Sequence, residues 1–106
     1  MAGLTKEFKK TVKARAEHDL AFRTALLCET VDLLLSDDVE TGKAVLRDYI
    51  KATIGFEELA KETGTPPKSL MRMLSDKGNP TANNLFAMLS SLQKVTGVRL
   101  SVGEDG

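Results

Sequence analysis

The stretch Thr63–Pro80, TGTPPKSLMRMLSDKGNP, decides how this chain is read. Two adjacent prolines open a run whose pattern is otherwise helical. Proline costs about 3 kcal/mol inside a helix yet fits the first turn, where its missing N–H would have no intrahelical partner. The pattern predicts Thr65 as N-cap, Pro66 and Pro67 in the first turn, and a helix running to about Ser75. At about 100° per residue, Leu70, Met73 and Leu74 share one face, and Lys68, Arg72 and Ser75 the other. The result is a short helix with a cationic outward side.

Working outward, FEELAKETG predicts a helix of about two turns that ends at Gly64, where a left-handed residue is tolerated. Leu59 and Ala60 stand where this helix meets the next, and the small alanine allows close approach. Downstream, DKGNP reads as a turn and Thr81 as the cap of ANNLFAMLSSLQKV, with Leu85, Met88, Leu89 and Leu92 inward. Two short helices joined by a glycine turn form the pattern of a helix-turn-helix, whose second helix enters the DNA major groove. Such pairs also occur in α-domains that bind no DNA. On the DNA reading, Lys68, Ser69 and Arg72 are available to base edges. Thr65, Lys77, Asn79, Thr81, Asn83 and Asn84 are available to phosphates.

The remaining chain fits an all-α domain. LTKEFKKTVKARAE, residues 4–17, reads as a basic amphipathic helix. Asp19 is placed to cap a second helix with an apolar stripe of Leu20, Leu27, Val31, Leu34 and Leu35. A third begins near Asp37, with Glu40 completing a pattern close to a capping box. Gly42 is expected to weaken this helix and Gly55 to stop it. GVRLSV alternates Val98, Leu100 and Val102 with Arg99 and Ser101, the period of a β-strand. A lone strand needs a partner. Either the same strand of a second copy supplies it, making Val98, Leu100 and Val102 a dimer interface, or the segment is an extended tail packed along the helices. The former is the expectation adopted.

Composition narrows the classes. The 106 residues suffice for one domain, with no Trp and only five aromatic residues, so a helical core of aliphatic side chains is expected. The single Cys28 forms no internal disulfide and reads as a small core residue. Without a leader pattern or long apolar span, a cytoplasmic protein with no membrane partner is expected. The net charge is zero but unevenly spread. Residues 1–27 carry six Lys/Arg against three Asp/Glu, residues 28–64 four against nine, and residues 65–106 five against three. DNA binding depends on a local basic surface and not on the sum.

The run ELAKETGTPPKSLMRMLSDKGNPTANNLFAMLSSL resembles the helix-turn-helix domain of lambda-repressor-like (XRE-type) regulators. More narrowly it is similar to addiction-module antidote proteins, which share a GNP turn, a helix and a GVRL-like segment. The resemblance covers about residues 44–102. It implies an all-α, five-to-six-helix DNA-binding domain with a short C-terminal β-strand, preceded by supporting helices over 1–43 and followed by a frayed tail at 103–106. It also implies a homodimer that binds double-stranded operator DNA and represses its own operon. Carried over by position, it marks Pro66, Pro67, Lys68, Ser69 and Arg72 for base reading, and Thr81, Asn83 and Asn84 for the backbone. The prolines stand where many relatives place polar base-reading residues, and Phe56 where a backbone-touching Gln is common. The second reading is an antitoxin whose main partner is a protein toxin.

No catalytic site and no cofactor are expected. His18 is the sole histidine and falls ten residues from Cys28, too sparse a set for a metal centre. Asp37, Asp38 and Glu40 cluster, which capping and solvation explain. Phosphate-loop and dinucleotide glycine patterns are absent.

Overall fold

Asp19 opens the first helix, α1 (Leu20–Leu35), as expected, its carboxylate accepting the Phe22 backbone N–H at 3.1 Å. The computed structural model describes residues 19–104, so the basic run at 4–17 and His18 lie outside the described residues. These hold four further helices: α2 (Val39–Ala52), α3 (Gly55–Thr63), α4 (Pro67–Met73) and α5 (Ala82–Thr96). No β-strand occurs among the described residues, and none of their helices is long and apolar enough to cross a membrane.

The inward face of α1 differs from the expected stripe. Leu27 and Thr30 are buried, with Leu26 and Val31 packed against the core, while Leu20 and Leu35 are 52% and 81% exposed. A polar residue sits at the centre of the buried arc because the Thr30 hydroxyl donates to the Leu26 carbonyl at 3.1 Å. Cys28, about 160° round the helix from Thr30, is exposed and is not a core residue.

The α1–α2 corner corrects the expected cap. The Asp38 N–H bonds the Leu33 carbonyl at 2.9 Å, which draws Asp37 into the left-handed region at φ 63°. An Asp there is tolerated, but it cannot hold the extended geometry of an N-cap. Asp38 caps instead, accepting from the Thr41 N–H at 3.4 Å. Gly42 is less a weak point than a notch. A Cβ on it would lie 2.9 Å from Leu34 Cδ2, so the end of the Leu34 side chain fills that notch. The helix stops at Ala52, short of Gly55, which carries a positive φ and begins α3.

One apolar cluster draws on every helix among the described residues, through Leu27, Ile50, Leu59, Leu70 and Leu92, and on Val98 beyond them. It crosses the 43/44 boundary drawn from the sequence, which falls inside α2. Two aromatics contribute despite the aliphatic composition. Phe56 is buried, so it does not reach a DNA backbone, and Tyr49 is 1% exposed. The Tyr49 hydroxyl donates to Thr96 Oγ1 at 2.9 Å, and Thr96 donates on to the Leu92 carbonyl at 2.6 Å, tying α2 to α5. Burial raises the Tyr49 pKa above its ordinary 10.0, against smaller lowering effects from the Thr96 hydrogen bond and the Arg23 charge.

Gly97 ends α5 in the left-handed conformation, and the chain continues as an extended tail. Its alternation is real. Val98 is buried and Leu100 packs against the core, while Arg99 and Ser101 are exposed. The Leu100 N–H finds its partner in Gln93 Oε1 at 2.7 Å, so a side chain satisfies what a neighbouring strand was expected to satisfy. Val98 is thus a core residue of its own chain and is not available to a dimer interface. Val102 is fully exposed.

Candidate nucleic-acid interface

Helix α3 ends as the sequence predicts. Gly64 adopts φ 74° and its N–H bonds the Ala60 carbonyl at 2.8 Å. The chain then turns through Thr65 and Pro66 into α4.

The start of α4 is shifted from its expected place. Thr65 is not the N-cap. A residue before proline is pushed into extended backbone, so Pro66, at φ −57° and ψ 146°, cannot be helical. The cap therefore falls on Pro66 itself, whose carbonyl accepts the N–H groups of Ser69 and Leu70 at 3.0 and 3.1 Å. No side chain caps this end, and Pro67 at the first position removes one N–H that would need capping. The helix stops at Met73 instead of Ser75, with the Ser75 hydroxyl donating to the Arg72 carbonyl at 2.7 Å.

Seven residues are too few for a helix to persist by itself. Leu70 and Leu74, 2% and 1% exposed, anchor α4 in the core as expected. Its carbonyl end is held by α2. Arg47 Nη1 donates to the Leu74 carbonyl at 3.1 Å, and Lys43 Nζ donates to Ser75 and Gly78 carbonyls, both at 2.9 Å. Lys43 is 2% exposed, and its charge is balanced by Glu40 Oε2 at 2.7 Å. A buried ammonium is tolerated only when its donors are met in this way. Gly78 closes the arrangement. A Cβ there would stand 2.1 Å from the Arg72 carbonyl oxygen, so the turn can press on α4 only as glycine.

This docking sets the outward surface. Lys68, Met71 and Arg72 are exposed, and Ser69 is half-buried. Ser69, Arg72, Lys77 and Asn79 meet, with Met73 and Gly78, around one shallow groove of about 310 Å³. Thr65, Pro66 and Pro67 line a second, more open depression of about 540 Å³ with Glu57, Ala60, Lys61 and Gly64. Lys68, Thr81, Asn83 and Asn84 line neither. At the head of α5, Thr81 accepts the Asn84 N–H at 3.1 Å, and Asn83 is exposed beside it.

Sequence reasoning missed Lys43, Arg47, Lys61 and Met71. Lys43 and Arg47 stand four residues apart on α2, an ordinary surface spacing, and nothing local marks them as braces for α4. Met71 is 41% exposed although apolar. No protein-family model, curated protein or solved structure matches the chain.

Proposed function

We propose that this protein is a sequence-specific DNA-binding regulator of the lambda-repressor-like helix-turn-helix kind, with α3 and α4 as its bihelical unit. The observation that carries the reading is the division of α4. Leu70 and Leu74 are sunk in the core while Lys68 and Arg72 face outward, with Lys77 and Asn79 beside Arg72. Residues 63–75 contain no carboxylate; Glu62 and Asp76 flank them in the chain, and Glu57 lines the depression beside Pro67. Arg72 is suited to guanine O6 and N7, Ser69 to a base or a phosphate, and Lys68 to either. Lys77, Asn79 and the Thr81-capped start of α5, with Asn83 and Asn84, are suited to the phosphate backbone.

The regulator acts as a homodimer on a two-fold site, with half-sites about 34–36 Å apart. The exposed Val102 and the outer part of Leu100 offer the apolar tail surface that a second copy would cover.

The test is binding of the purified protein to its own upstream DNA at several salt concentrations. Affinity should exceed that for random duplex and fall steeply with salt, because phosphate contacts release condensed counterions. Equal affinity for upstream and random duplex at low and moderate salt overturns the proposal.

A further inference from the structure

Met71 is the one large apolar side chain of α4 that is exposed, at 41%. It lies three residues after Lys68 and four after Pro67, so on the helix surface it neighbours both, and Arg72 follows about 100° round the helix. At about 100° per residue Pro67 and Met71 form an apolar edge on one flank of the outward Lys68 and Arg72, while the groove that Arg72 shares with Lys77 lies on the other flank, with Ser69 and Met73. Glu57 lines the depression beside Pro67.

We infer that Met71, supported by Pro67 one turn earlier, reads the C5-methyl group of thymine, so that the preferred site carries a thymine beneath the middle of α4. The inference rests on the DNA-binding reading and assigns the site a base composition that the cations cannot supply. In the major groove, thymine is distinguished by a methyl group that takes apolar contact, whereas Arg and Lys select guanine. A thioether side chain is unbranched and adaptable, able to follow a methyl that a shorter side chain would miss. Lys68 and Arg72 beside it bring this apolar edge against a polyanion, where a partner of neutral or positive charge is disfavoured.

The experiment selects the best duplex from a random library with the wild-type protein, then replaces each thymine in turn by deoxyuridine. Uracil keeps every hydrogen-bonding group and lacks only the methyl. The wild type should lose about fourfold in affinity at one position, the effect of one methyl group's apolar burial. Met71→Ala should bind the thymine and uracil duplexes equally, while Met71→Leu should keep the preference. The salt slope of both variants should match the wild type, since no phosphate contact is touched. If the wild type binds every deoxyuridine duplex as well as the parent, the inference fails and DNA binding stands. If Met71→Ala keeps the preference, another residue reads the methyl and the inference fails. If no duplex is enriched, the DNA-binding reading itself falls, and this inference with it.

Discussion

Lys43 and Ser75 are 32 positions apart in the chain, and the ammonium of the first donates to the carbonyl of the second at 2.9 Å. The same ammonium reaches Gly78, so a single α2 side chain holds both ends of the turn that follows α4. Lys43→Met keeps most of the volume and leaves the Gly78 carbonyl without its donor, while the Ser75 carbonyl still accepts the Gly78 N–H at 2.9 Å. A loss of about 1–3 kcal/mol is expected, the cost of one buried group left unsatisfied. Urea unfolding measures it, and a loss under about 0.5 kcal/mol would show that water replaces the ammonium without penalty.

The glycines should rank by what surrounds them. Gly78→Ala places a Cβ 2.1 Å from the Arg72 carbonyl oxygen, a backbone atom that cannot swing aside, and should be the most destabilising. Gly64→Ala meets open space but holds a left-handed φ, which costs about 1–2 kcal/mol. Gly42→Ala meets the end of the Leu34 side chain, which can rotate, and gains helix propensity of up to about 1 kcal/mol. It should be close to neutral. Thermal midpoints of the three variants give the order directly.

Tyr49 makes stability depend on alkaline pH. Its folded pKa is raised above 10.0, so the folded state holds the phenolic proton longer than the unfolded chain. The sign follows from linkage. Its contribution is fully present below pH 10.0 and is lost as pH rises through the higher folded value. Tyr49→Phe should cost about 0.5–1.5 kcal/mol at neutral pH through the lost bond to Thr96. It should also flatten the fall in stability above pH 10.0. Parallel wild-type and variant curves in that range would show that Tyr49 does not ionise on unfolding.

Arg72 and Lys77 share a groove but should behave differently toward DNA. Arg72→Ala should remove about 1–3 kcal/mol of discrimination at one base pair. Lys77→Ala should weaken operator and random duplex alike and reduce the salt slope by about 1. Titrations of both duplexes at one fixed salt concentration separate the two. If Arg72→Ala weakens both duplexes equally, Arg72 is a backbone contact and the outward surface of α4 is wrongly assigned.

What the sequence disclosed divides along local and distant causes. Asp19, Gly64 and Thr81 act within four residues of themselves, and each does as its type and position predict. Leu70 and Leu74 follow from helical period alone. Thr65 failed as a cap because the constraint of Pro67 on Pro66 outweighs the preference of a threonine. The α1 stripe failed because Thr30 satisfies its own hydroxyl and so passes for an apolar residue. The braces from Lys43 and Arg47 could not be read at all, since their acceptors are backbone carbonyls that exist only once α4 has ended. The alternation of Val98 and Leu100 was legible, but their partner was a glutamine side chain and not another strand.

The missing N-terminal cap of α4 and the borrowed cations at its other end have a consequence for modularity. This helix is conditional: its shape is stored in α2, in the turn at 75–78 and in two leucines, and hardly in its own seven residues. A peptide of residues 64–75 should be coil in water, and grafting that segment onto a foreign scaffold should transfer none of its geometry. The smallest transplantable unit includes the whole core that holds α4, from Leu27 in α1 to Val98 beyond α5. Any change in the pitch of α2 would reach Arg72 without touching a residue of α4.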